Sequence, residues 1–166
     1  MLKSDGDIIR GLGFVTLYSA YAEEQADALL ERLSRIEAFD DPKRKWRISR
    51  KLPHALELLE RLERQSGAQL PNLKKVLQDG PELFERRNEL VHGRIYPGLH
   101  EGPDTLRSGR PNVPNQDIEA EQLYELANSF MNYQGALVGT DSIPLAHALS
   151  QYVPENASLL PNQQRP

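Results

Sequence analysis

Apolar residues return every three or four positions near the start of the chain: Ile8, Leu12, Val15, Ala22, Ala26, Leu29, Leu30 and Leu33, with Ser19 in the same row. That spacing follows the 3.6-residue period of an α-helix and predicts a first helix over about 7–38. Its apolar arc is broad, as suits a helix with neighbours on several sides. Asp40-Asp41-Pro42 then marks a stop and a restart, with Asp41 suited to an N-cap and Pro42 to the first turn behind it. A second helix is expected over about 42–65, with Leu52, Leu56, Leu59 and Leu62 inward and a kink or restart at Pro53. Ser66-Gly67 ends it.

The third block reads as two pieces. A short helix covers about 72–78, Gly80-Pro81 breaks it, and a new helix runs from 81 to His92, stopped by Gly93. A connection rich in Pro and Gly follows over 94–116, and its length points to function or disorder. Inside it, Arg94-Ile95-Tyr96 and Thr105-Leu106-Arg107 suit a short hairpin. Asp117 is the expected cap of a fourth helix, with Glu119 and Glu121 at the positive end of its dipole. This helix runs to about 138, with Leu123, Leu126, Ala127, Phe130, Tyr133 and Leu137 inward. A short helix over about 143–152 follows, and the Pro-, Asn- and Gln-rich tail over 153–166 is predicted to be loose. The sum is an all-α, up-and-down bundle of four to five helices in one domain, 1–152, with a hairpin inserted before the last main helix.

Composition adds exclusions. The chain has 166 residues, enough for one domain with its own core, and 27% of them are charged. It has no cysteine, which removes disulfides, a thiol nucleophile and cysteine-based zinc sites. No apolar run approaches the roughly 20 residues that span a bilayer. The start, Met1-Leu2-Lys3-Ser4-Asp5-Gly6-Asp7, has no long apolar stretch of the kind a signal peptide carries. A cytoplasmic location without membrane attachment is therefore expected. The net charge of −4 counts against a broadly basic coat for nucleic acid, while leaving room for a local basic site. The segment Lys43-Arg44-Lys45-Trp46-Arg47-Ile48-Ser49-Arg50-Lys51 carries six cations in nine positions. It reads either as a solvated helix face or as an RNA-binding patch, in which Lys43, Arg44, Lys45 and Arg47 meet phosphates and Trp46 stacks on a base.

The segment Phe84-Glu85-Arg86-Arg87-Asn88-Glu89-Leu90-Val91-His92-Gly93 carries the most chemistry. At 100° per residue, Leu83, Phe84, Leu90 and Val91 share one arc, and Arg87 falls near its centre. A guanidinium cannot shed its proton, so on such an arc it must be paired or face something other than hydrocarbon. Three solutions are open. Arg87 can snorkel to water. It can pair with an acid of another helix, for which Glu23 on the edge of the first helix's inward arc is the best placed. Or the arc can be a subunit interface with a polar cleft. Asn88 and His92 stand at i and i+4, near enough for an amide to orient an imidazole. Arginine, amide and imidazole together suit phosphodiester chemistry: one moves a proton, one holds phosphoryl charge, one orients. His54, His100 and His147 are scattered and read as surface or packing residues, and no metal cluster is evident.

Arg87-Asn88-Glu89-Leu90-Val91-His92 resembles the R-x(4–6)-H signature of HEPN (higher eukaryotes and prokaryotes nucleotide-binding) domains, in which a polar residue, often asparagine, follows the arginine. The resemblance extends over roughly 7–138 in its four-block layout. It implies a helical bundle that forms a homodimer, with two motifs meeting in one cleft. It implies a metal-independent RNA endonuclease of a toxin–antitoxin, phage-defence or stress system, needing no cofactor. Arg87 and His92 would be catalytic, with Asn88 supporting; Glu23 is added as a supporting residue from its placement. RNA is the expected substrate, with an antitoxin or regulatory protein as a further partner. One departure concerns regulation. Members silenced by a nucleotidyltransferase carry a tyrosine two residues after the histidine, where this chain has Arg94, and the nearest tyrosine is Tyr96. The alternatives are an inactive HEPN-like dimer that binds nucleotide, RNA or protein, and a plain helical adaptor in which Arg87 only pairs with Glu23.

Overall fold

Asp7 opens the first helix, α1 (Ile8–Leu33), by accepting the backbone N–H of Arg10 at 2.9 Å. The computed structural model describes residues 1–97, 104–107 and 114–153. α1 ends five residues before the expected point, because the chain turns after Leu33 and tucks Phe39 into the core. Asp40, rather than Asp41, caps the short α2 (Asp41–Arg44), accepting from the Lys43 N–H at 3.3 Å, so that Asp41 and Pro42 both fall in the first turn.

The expected restart at Pro53 lies elsewhere. The chain leaves the helix at Lys45, and α3 (Ile48–Ser66) then runs unbroken through Pro53 to Gly67, whose left-handed φ of 69° closes it. Pro53 and Ser49, the residue four before it, are both exposed, so the bond the proline removes lies on the wet side of the helix. The expected break at Gly80-Pro81 is likewise absent: α4 (Pro71–His92) is one helix of 22 residues. Packing explains its continuity. Gly80 is buried where a Cβ would collide with the Tyr133 hydroxyl and come within 2.7 Å of Leu52. The bare backbone lets α4 lie close to its neighbours, and Leu73 and Leu77 on one side of the proline and Phe84 on the other anchor both halves. The start of α4 is capped from a distance. Asp141, held at φ 50° and ψ 25°, accepts from the Leu73 N–H at 3.0 Å and from the Asn72 amide at 3.2 Å.

The hairpin forms as expected, with β1 (Arg94–Tyr96) antiparallel to β2 (Asp104–Arg107) and Ile95 opposite Leu106. A third strand, β3 (Gln116–Ile118), pairs on the other side of β2. Asp117 is therefore a strand residue, and a capping box of Glu119 and Gln122 opens α5 (Ala120–Gly139) instead. The fold is mostly helical, as expected, and the inserted hairpin gains a third strand to make a small sheet in the order β1-β2-β3. Gly93 ends α4 in an extended conformation, not a left-handed one, and is needed for room: a Cβ there would lie 2.5 Å from Leu106 and 2.8 Å from the Glu89 carbonyl.

α6 (Ser142–Gln151) closes the described structure, burying Leu145 and Ala148. α1 packs along α5, with α3 and α4 against it, around Val15, Leu29, Leu30, Leu59, Leu77 and Phe130. Ahead of α1, the N-terminal arm is tied to α5. Asn128 accepts from the Leu2 N–H at 2.7 Å and donates to its carbonyl at 3.0 Å, and the Tyr124 hydroxyl donates to Asp5 at 2.7 Å. Among the described residues, no helix is long and apolar enough to cross a membrane. The predicted loose tail lies outside the described residues beyond Val153, as does His100.

Candidate active site

Arg87 sits three residues past Phe84 on α4, where the helix stops being buried: Phe84 is its last buried residue, and Arg87 to Leu90 are half-exposed. Of the three arrangements open to it, the guanidinium takes the pairing with an acid of another helix. Arg87 Nη2 donates to Glu23 of α1, and Nη1 donates to the Asn88 side-chain oxygen at 3.0 Å. The Arg87 side chain is 21% exposed and that of Glu23 38%, so the pair stands at a solvent boundary. Arg87 Nε is buried with no hydrogen-bond partner among the described residues.

A groove of about 820 Å³ opens beside this pair. Pro81, Phe84, Glu85, Arg87, Asn88 and His92 line it from α4, Ile48, Ser49 and Leu52 from α3, Arg47 from the residue just before α3, and Glu23 from α1. His92, the last residue of α4, is exposed. The four residues singled out from the motif and its surroundings, Glu23, Arg87, Asn88 and His92, are thus on one open cavity. The expected amide–imidazole link is not made among the described residues, because the Asn88 oxygen is turned to Arg87, its nearer charged neighbour.

The basic segment divides. Lys43 pairs with Glu37 at 3.1 Å, and Arg44 pairs with Glu31 while lying 5.2 Å from the centre of the Phe39 ring. Lys51, only 8% exposed, holds Asp27 of α1 at 2.6 Å. Trp46 has the Arg50 guanidinium 3.7 Å above its ring and His54 against it edge-on at 5.2 Å. A base cannot stack on the ring face that Arg50 covers. Lys45 is exposed, away from the groove. Of the five expected RNA-binding residues only Arg47 lines the groove, and it is exposed. Ser49 and Glu85 were not foreseen. A restart placed at Arg47 instead of Pro53 would have set Ser49 in the first turn of α3, facing α4.

Glu37 gathers several cations beside the basic segment. A hydrogen bond from Lys43, helped by Arg61 at 2.9 Å and by His54, holds its carboxyl below the usual glutamate range. His54 lies against Trp46, and His147 is exposed beside Gln151. Arg94 begins β1 and Tyr96 ends it, 44% exposed.

Comparison of the chain with protein-family models, with curated proteins and with solved structures finds no match in any of the three. The functional reading therefore rests on the groove and its residues.

Proposed function

We propose that the groove beside Arg87 and His92 is the active site of a metal-independent RNA endonuclease, HEPN-like in its bundle and acting as a homodimer. One observation carries the reading: Arg87, Asn88 and His92 line a single solvent-open groove that Arg47, just ahead of α3, also lines. A phosphodiester lying there has two guanidinium groups in the same groove, Arg87 and Arg47, suited to holding the non-bridging oxygens. An imidazole at the exposed end of α4 takes the proton of the ribose 2′-hydroxyl. The 2′-oxygen attacks phosphorus, the bond to the 5′-oxygen breaks, and a second imidazole, from the partner copy, protonates the leaving oxygen. The products are a 2′,3′-cyclic phosphate and a 5′-hydroxyl. Glu23 and Asn88 hold Arg87 in place; Glu23 also offsets its charge, so substrate binding must compete with that carboxylate. A toxin, phage-defence or stress role, with a regulatory protein partner, follows from the resemblance alone.

The test is cleavage of RNA by purified protein in excess chelator. The reading expects cyclic-phosphate products and at least a hundredfold loss in both His92→Ala and Arg87→Ala. Dependence on divalent metal, or full activity in His92→Ala, would overturn it.

A second reading has its own observation. The Glu23–Arg87 pair offsets the arginine's charge within one chain, as a binding or interaction module without catalysis would allow. Expression in cells separates the two: the nuclease slows growth, and Arg87→Ala and His92→Ala each relieve it.

A further inference from the structure

From Gly11 to Ala22 the chain has no charged residue, although α1 turns one side outward over this length. On that side Ile9 is 76% exposed, and Leu17 and Tyr21 are each 43% exposed. At 100° per residue, Arg10, Gly13, Leu17, Ala20 and Glu24 fall within about 60° of Leu17. Their spacings are three, four, three and four, the repeat that packs one helix along another at a shallow angle. Phe14 and Tyr21 flank this row.

We propose that this face of α1 docks a second copy of the chain, antiparallel, about a twofold axis at Leu17. Three features select that occupant. Gly13 lies mid-helix with nothing among the described residues within 4 Å of where its Cβ would stand, so their packing gives no reason for it. A mid-helix glycine costs about 1 kcal/mol relative to alanine, and close approach of another backbone supplies the missing reason. In the antiparallel register Leu17 meets itself, Gly13 lies beside the partner's Ala20, and Phe14 lies beside the partner's Tyr21. Small then faces small and ring faces ring. Arg10, which keeps 57% of its side chain exposed beside Asp5 and Asp7, falls opposite the partner's Glu24 at both ends. A parallel pair would instead stack Arg10 on Arg10 and Glu24 on Glu24, so charge chooses the antiparallel arrangement.

The nuclease reading also calls for a homodimer, but this interface rests on α1 alone and stands or falls separately. The test uses the full chain in sedimentation equilibrium, with circular dichroism to confirm folding. Wild type is expected to dimerise, and Leu17→Glu to weaken the dimer at least a hundredfold. Glu24→Arg alone weakens it tenfold or more, and adding Arg10→Glu restores it. The chain has no cysteine, so Leu17→Cys under mild oxidant should yield a symmetric disulfide dimer, which Lys45→Cys should not. A wild type that stays monomeric overturns the proposal. So does a dimer indifferent to Leu17→Glu, and a double charge reversal without rescue overturns the register. A Leu17→Glu monomer that still cleaves RNA counts against a shared catalytic cleft and leaves this interface intact. A dimer through Leu17 that never cleaves RNA does the opposite.

Discussion

Glu23 and Asp27 stand one turn apart on α1, and each meets a cation from another helix. Asp27 takes Lys51 of α3, whose side chain is 8% exposed and 2.6 Å away. Glu23 takes Arg87 of α4, at the lip of an open groove. The two pairs share an acid helix and the same elementary attraction, yet the Glu23–Arg87 pair adjoins a cavity that His92 also lines. Lys51 is enclosed by packing, and its charge is committed to joining α1 and α3. Arg87 can exchange part of its partner set for a ligand without leaving a bare charge in hydrocarbon. A cation on an apolar stripe is thus not itself a sign of function; what lies beyond its head group decides.

Activity gives the largest separation between the two pairs. Arg87→Ala and His92→Ala should each lower RNA cleavage by a hundredfold or more while changing stability by about 1 kcal/mol or less, since Arg87 is partly exposed and His92 exposed. Single-turnover cleavage with paired thermal melts reads both quantities. Lys51→Ala should behave in the reverse way. Removing the sealed ammonium is expected to cost roughly 2 kcal/mol, below the usual range for a buried pair because Asp27 retains access to water. Urea titration measures that loss, and the rate per folded molecule should hold. If Lys51→Ala abolishes cleavage in folded protein, the division of labour drawn here is wrong.

A subtler contrast lies in the acids. Glu23→Gln removes the carboxylate that competes for Arg87, so RNA should bind several-fold more tightly, whereas Asp27→Asn should lower the melting temperature and leave binding unchanged. Fluorescence anisotropy with a non-cleavable RNA follows the first and calorimetry the second. Equal affinity in Glu23→Gln would show that the guanidinium does not reach phosphate. The smallest effect concerns Glu37, the acid shared by Lys43, Arg61 and His54 on the far side of the basic segment. Its folded carboxyl titrates below the ordinary glutamate value, so it contributes stability that is present above that value and lost as pH falls through the folded one. Melts between pH 6 and 3 should show this increment in wild type and lack it in Glu37→Gln, with RNA cleavage above pH 6 the same in both.

Much of this arrangement was legible in the residues, and the failures are instructive. The Ile95–Leu106 pairing was readable because two short runs of extended-favouring residues flank turn-rich sequence. The Glu23–Arg87 contact is one of three arrangements that the cost of an unpaired charge on an apolar arc leaves open, and the sequence does not choose among them. The breaks at Pro53 and Gly80-Pro81 were wrongly expected because local rules weigh a proline by the bond it removes. Tertiary packing on Leu52, Leu77 and Tyr133 outweighed that loss. Asp117 looked like a cap because its pairing partner, Thr105 of β2, is remote in sequence. The run of six cations looked uniform because sequence shows charge but not which acids lie across from it; Glu31, Glu37 and Asp27 take three of the six.

The lone tryptophan makes the molecule self-reporting. Trp46 is wedged between Arg50 and His54 at the joint of α2 and α3, next in sequence to the one basic residue of its run that lines the groove. Its emission, free of interference from any other indole, should shift when that joint loosens. Ligand titrations and unfolding curves can then be followed on unlabelled protein from a single chromophore.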